Sequence, residues 1–330
     1  MSVTGCEAAR RSSPDVRPAG LSSPAGASHL ALSPPDLRLD YTSLADEIDN
    51  RPPHRGLKKG LYVFPTLFTA ANVAMGYWAV LSSIRGFALI TADPAKAATY
   101  FDQGALAIGL AILFDTVDGR IARATRTATE IGVQFDSLAD VLTFGIAPTA
   151  LLFGWAIAPT FSENTPGYGI GIFVVFAYLM CGAFRLARFN LQATRPVKLI
   201  EGATKIDKKA FVGLPIPPAG GLIAAIVHYA PMPLNVYGPR PSHYYAYALL
   251  ALVAALSLLM VSTIRYTSGK GSKPTGRPGF LLVLIFAAIG ASVWFWSQYA
   301  LVTIAGVYVL HGVVWWLLRP LFVRKRSGDA

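Results

Sequence analysis

Eight apolar runs dominate this chain, near residues 61–84, 103–122, 134–157, 168–187, 211–231, 244–264, 279–297 and 300–318. Each is about long enough to cross a ~30 Å hydrocarbon core as an α-helix. Composition agrees. Over the 330 residues, 53% are hydrophobic and 14% charged, where soluble domains carry about 25% charged residues. The expected fold class is therefore all-α integral membrane, with about eight transmembrane helices. The last two runs almost touch, which predicts a tight C-terminal hairpin. Residues 1–57 differ in kind. They are rich in Ser, Pro, Ala and Arg without apolar periodicity, so they are expected to be a disordered tail. They lack the short apolar core of a signal peptide. Arg10, Arg11 and Arg17 offer at most a weak membrane tether.

The formal net charge of +11 fits nucleic acid or one face of an anionic bilayer. The second fits better, because the cations cluster between apolar runs; no nucleic-acid partner is expected. Arg55, Lys58 and Lys59 precede the first run. Arg120, Arg123 and Arg126 follow the second. Arg185, Arg188, Arg195, Lys198, Lys205, Lys208 and Lys209 follow the fourth. Arg265, Lys270, Lys273 and Arg277 follow the sixth, and Arg324, Lys325 and Arg326 end the chain. The alternate loops are poor in cations: 158–167 has none and 232–243 only Arg240. The positive-inside rule then puts both termini and the 120–133, 188–210 and 265–278 loops in the cytoplasm. Cys6 and Cys181 show no metal-binding spacing and suit no disulfide.

Acids inside such a chain are expensive and by default mark a functional site. Asp115 and Asp118 are three apart and share one helical face; Asp136 and Asp140 are four apart and share a face of the next helix. A short loop joins the two helices, so four carboxylates converge near one boundary. Hard divalent cations suit such an all-oxygen set, Mg2+ or Mn2+ above all. Gly119 lets a ligand approach the backbone closely, Ala122 keeps that face shallow, and Arg123 offers a fork for phosphate oxygens. Gly132 lets the third helix pack close. Interfacial salt bridges to Arg120, Arg123 and Arg126 would account for one or two of the acids, not for four in register.

The pattern D-x2-D-G-x2-A-R-x8-G-x3-D-x3-D is complete between Asp115 and Asp140. It resembles the signature of the CDP-alcohol phosphotransferase family, over roughly residues 60–265. The resemblance implies a six-helix core plus here a C-terminal two-helix hairpin, usually in a homodimer. It implies Asp115, Asp118, Asp136 and Asp140 as metal ligands, with two ions and with Asp140 also the general base. Gly119, Ala122, Arg123 and Thr129 would hold the cytidine diphosphate. The domains expected are the tail 1–57, a catalytic core 58–270, and a hairpin with basic tail 271–330.

Further stretches resemble the phosphatidylserine synthase branch of that family: Asp136 to Pro148, Phe184 to Asn190, Phe211 to Gly220, and Met260 to Tyr266. CDP-diacylglycerol and L-serine are the substrates this implies, in the bilayer of a bacterial cell (inner) membrane with the site facing the cytoplasm. Arg185, Arg188 and Asn190 become candidates for the acceptor or a phosphate, against plain positive-inside anchoring for the arginines. The branch often opens its first helix with Pro-Asn-Leu-Phe-Thr, whereas Thr66 follows Pro65 here. That leaves Thr69 and Asn72 as nucleotide candidates, or as ordinary helix-packing residues. A different acceptor, such as glycerol 3-phosphate, inositol phosphate or choline, stays open. So does the remoter alternative of a transporter, which predicts broken helices related by a repeat.

In such a transfer a hydroxyl loses its proton as it attacks phosphorus. Divalent ions can clamp the diphosphate, and a nearby carboxylate can take the proton. No Ser-His-Asp or Cys-His arrangement is apparent in the sequence, which favours direct displacement. His228, His243 and His311 read as isolated and receive no role. Trp294, Trp296, Trp315 and Trp316 read as interfacial aromatics. The final hairpin has no chemical task in this reading.

Overall fold

A computed structural model of the chain describes residues 57–125, 130–194, 210–267 and 278–326. Apart from Leu57, the expected tail lies outside the described residues. So do Thr129, Arg126 and the remaining loop cations Arg195, Lys198, Lys205, Lys208, Lys209, Lys270, Lys273 and Arg277.

Among the described residues the chain forms eight helical rods. We label them α1 (Leu57–Leu89), α2 (Pro94–Thr125), α3 (130–160), α4 (Pro166–Thr194), α5 (Ile216–Tyr229), α6 (Pro239–Val261), α7 (Pro278–Phe295) and α8 (Ser297–Arg326). The protein is an all-α integral membrane protein. Among the described residues six helices are long and apolar enough to cross a membrane: Leu67–Leu89, Pro94–Ile121, Ile131–Thr160, Pro166–Leu191, Pro239–Val261 and Ser297–Trp315.

Local chemistry sets the rod ends. Asp93 caps α2: its Oδ1 accepts the Lys96 amide at 3.0 Å, with Pro94 at the first helical position. Gly238, at φ 91°, turns the chain into Pro239 and α6.

The fifth apolar run departs from expectation. A full span was expected over 211–231, but α5 covers only 14 residues, about 21 Å at 1.5 Å per residue. Three prolines explain the late start. Pro215 has an extended ψ of 146° and acts as the N-cap, and Pro217 and Pro218 fill the first turn. Upstream, β1 (Ala210–Val212) pairs antiparallel with β2 (Arg265–Thr267), Phe211 opposite Tyr266. Gly213 joins β1 to α5 at φ 85°, where an added Cβ would strike the Met260 carbonyl. This small ladder ties the start of α5 to the end of α6.

The core is helix on helix. α1 packs along α2, α4 along α6, and α5 lies between α2 and α8. Phe101, Ile108, Phe144, Leu151, Leu152, Ile157 and Tyr178 are fully buried in it. The last rod is thus part of the packed bundle: α8 lies on α5 and reaches β2.

The rod α3 is irregular. Regular helix over Glu130–Asp140 gives way to a π turn at Val141–Ile146, then to helix at Ala147–Leu152, a second π turn at Phe153–Ile157, and a last turn at Ala158–Thr160. The two wide turns share a cause. Each ends two residues before a proline, Pro148 and Pro159. A proline inside a helix brings no N–H, and its ring collides with the carbonyl four residues back. Widening relieves that collision. The amides of Ala147 and Ala158 bond five residues back, to the Leu142 and Phe153 carbonyls.

Candidate active site

Carboxylates gather where α2 ends and α3 begins. Ligand oxygens of Asp115, Asp118 and Asp136 all lie within 4.8 Å of one another. The three-residue spacing of the first two puts both on one face of α2, and the return of the chain into α3 brings Asp136 against them. Asp118 is buried, and its Oδ2 accepts the Thr69 hydroxyl of α1 at 3.2 Å. Asp140 stands beside this trio rather than within it. It is buried and within electrostatic reach of Asp115, Asp136, Arg185 and Asp118. Its Oδ1 has no hydrogen-bond partner among the described residues.

Three further helices close the site. Asn72 of α1 is fully buried, and neither polar atom of its amide is hydrogen-bonded among the described residues. From α4, Arg185 is buried at 7% exposure near Asp140, its Nε likewise without a hydrogen-bond partner. Arg188, one turn on, is less buried and donates from Nη1 to the Val261 carbonyl at 3.4 Å, joining α4 to α6. Asn190 donates to Ser137 Oγ at 2.9 Å and to Gln134 Oε1 at 3.4 Å, which fastens α4 to the start of α3. Gly119 follows Asp118 on α2. Ala122 and Arg123 extend the same helix, their side chains outside what is described.

Three oxygens so placed fit a hard divalent cation, which prefers carboxylates to softer donors. The trio is thus a group that could hold a metal ion. A buried carboxyl oxygen of Asp140, the buried Asn72 side-chain amide and a buried guanidinium nitrogen of Arg185 have no hydrogen-bond partner among the described residues; buried polar groups are normally paired.

A profile of the CDP-alcohol phosphatidyltransferase family matches residues 62–315. The chain belongs to that family. Among its curated members, a CDP-diacylglycerol–serine O-phosphatidyltransferase from Helicobacter pylori is 31% identical over 275 residues, 81% of this chain and 98% of its own. One of the same name from Methanocaldococcus jannaschii is 28% identical over 207 residues, 63% of this chain and 81% of its own. An archaetidylserine synthase from Methanothermobacter thermautotrophicus is 29% identical over 204 residues, 61% and 68% of the two chains.

The opposite end of α2 corrects two expectations. His228 is not isolated, and a Ser-His-Asp contact does exist. His228 of α5 meets Asp102 of α2 through Nδ1 at 2.5 Å and Ser297 of α8 through Nε2 at 2.9 Å. Separations of 126 and 69 residues hid this from the sequence. Asp102 lies about 20 Å along α2 from Asp115 at 1.5 Å per residue, so this group takes no part in the carboxylate site. It joins three helices. His243 bonds its own helix at the Pro239 carbonyl, 2.6 Å away.

Proposed function

We propose that this family member transfers the phosphatidyl group of CDP-diacylglycerol to the hydroxyl of L-serine, giving phosphatidylserine and CMP. The observation that carries the reading is the Asp115, Asp118 and Asp136 cluster, in a chain that matches two relatives named CDP-diacylglycerol–serine O-phosphatidyltransferase over 98% of their own length.

The cluster, with Asp140 at its edge, would hold the metal. Bound there, a pair of Mg2+ or Mn2+ ions supplies the charge that neutralises the diphosphate and the departing CMP. The chain's own groups do the rest. Gly119, Ala122, Arg123 and Thr129 receive the cytidine diphosphate, and Thr69 and Asn72 are further nucleotide contacts. Asp140 accepts the proton of the serine hydroxyl as its oxygen bonds to phosphorus. The phosphorus–oxygen bond to CMP breaks and CMP leaves with the electron pair. Arg185, buried beside Asp140, takes the serine carboxylate, because a buried carboxylate needs a charged hydrogen-bonding partner. Arg188 and Asn190 support that side of the site.

In this reading the carboxylate end and both termini face the cytoplasm of a bacterial cell whose inner membrane holds the protein. Residues 58–270 are the catalytic core, 271–330 the added hairpin and tail, and the working unit is a homodimer. The test supplies purified protein with CDP-diacylglycerol and a panel of radiolabelled alcohols. Phosphatidylserine is the expected product; a lipid made only from another alcohol would replace serine as the acceptor.

A further inference from the structure

The π turn that begins directly after Asp140 ends two residues before Pro148, which has no amide to offer the Thr143 carbonyl five residues back or the Phe144 carbonyl four back. In a regular helix the Phe144 carbonyl would accept the amide of residue 148. That residue is Pro148, which has none. The partner comes from another helix. Tyr178 of α4, fully buried, donates its hydroxyl to the Phe144 oxygen at 2.9 Å. A second tie holds the same turn to α1, where Thr143 Oγ1 donates to the Asn72 carbonyl at 3.2 Å. Gly76, one turn along α1, makes that approach possible; an added Cβ would sit 2.5 Å from Thr143 Oγ1.

A widened turn carries one more residue than a regular turn can, which rotates the two halves of a helix by about 100° relative to each other. Below the turn, Ala147, Leu151 and Leu152 are locked in the core. Above it, Asp136 and Asp140 face the site. The turn therefore decides how the carboxylates are presented relative to the fixed bundle, and Asp140 is the residue next to it.

We propose that Pro148 and Tyr178 are positioning residues for Asp140: the proline opens the turn, and the tyrosine hydroxyl holds it open by satisfying the Phe144 carbonyl. Neither side chain takes part in the chemistry. The inference rests on Asp140 being the base, and the variants below separate the two ideas.

Tyr178→Phe removes one oxygen and keeps the ring. It should lower thermal stability and lower kcat by ~10- to ~10²-fold, the scale of a misplaced catalytic group. KM for serine and for CDP-diacylglycerol should stay within about twofold, since a loss confined to kcat marks an interaction made in the transition state. Pro148→Ala tests the same point at the buried proline itself. It hands the Phe144 carbonyl an amide donor, so the turn can close. kcat should fall while both KM values stay within about twofold. Wild-type kcat in Pro148→Ala, or a Tyr178→Phe variant that loses stability alone, overturns the proposal. Near-normal turnover in Asp140→Asn would instead remove the base assignment, independently of either result.

Discussion

The two ends of α2 carry polar groups of opposite character. At one end Asp102, His228 and Ser297 satisfy one another across three helices, with both imidazole nitrogens engaged. At the other, Asp140 Oδ1, the Asn72 amide and Arg185 Nε are buried without hydrogen-bond partners among the described residues. Burying a polar group unpaired costs on the order of 1–3 kcal/mol. A closed network stabilises the bundle by its own contacts. An open one stays in a fold when a ligand completes it. The contrast sets these two groups apart more sharply than residue type does, because Asp and Ser occur at both ends; a lone hydroxyl, Thr160 Oγ1 at the far end of α3, is also buried without a partner among the described residues.

The largest effects should come from the open end. Chelation should abolish phosphatidyl transfer, and added Mn2+ or Mg2+ should restore it; full turnover in excess EDTA would erase the distinction between the ends. Asp140→Asn should cut turnover by ~10²- to ~10⁴-fold, the scale of a general base, while CDP-lipid affinity is largely kept, as read by single-turnover and binding measurements. Arg185→Lys should come next. Lys cannot reproduce the planar fork, so KM for serine should rise with CDP-lipid binding little altered. Arg188→Lys should do less, because Arg188 also serves α4–α6 packing through the Val261 carbonyl. Equal effects of the two variants would put the serine carboxylate elsewhere.

The closed end should answer differently. His228→Ala should lower stability by about 1–2 kcal/mol, the upper range for hydrogen bonds between membrane helices, seen as a lower melting temperature in detergent. Its KM values should match the wild type. A variant with unchanged melting and raised KM would show that this end serves the chemistry after all.

Much of this was legible in the chain itself. The eight apolar runs anticipate the eight rods because each run is continuous and its length is dictated by the bilayer. The spacings of Asp115, Asp118, Asp136 and Asp140 anticipate a convergence of four, because helical period and a short connection leave few other arrangements; three meet, and Asp140 stands beside them. Where the sequence misled, one cause was local and one was not. In the run 211–231 hydropathy concealed the prolines that delay α5 to Ile216. The final hairpin gave no local sign that Ser297 would meet His228.

What the sequence determined by itself was therefore the membrane, the helices and the carboxylate cluster, all of which follow from periodicity and from the high cost of charge in lipid. The π turn after Asp140, by contrast, was seen only in the structure, although Pro148 stands in the sequence. Only the tertiary structure decided which polar groups find partners. Tyr178 reaches Phe144, and Asp102 reaches His228, through helices far apart in the chain. Arg185 is drawn beside Asp140 while Arg188 turns to α6. Such pairings depend on which helix faces meet in three dimensions, and no local rule of spacing carries that information.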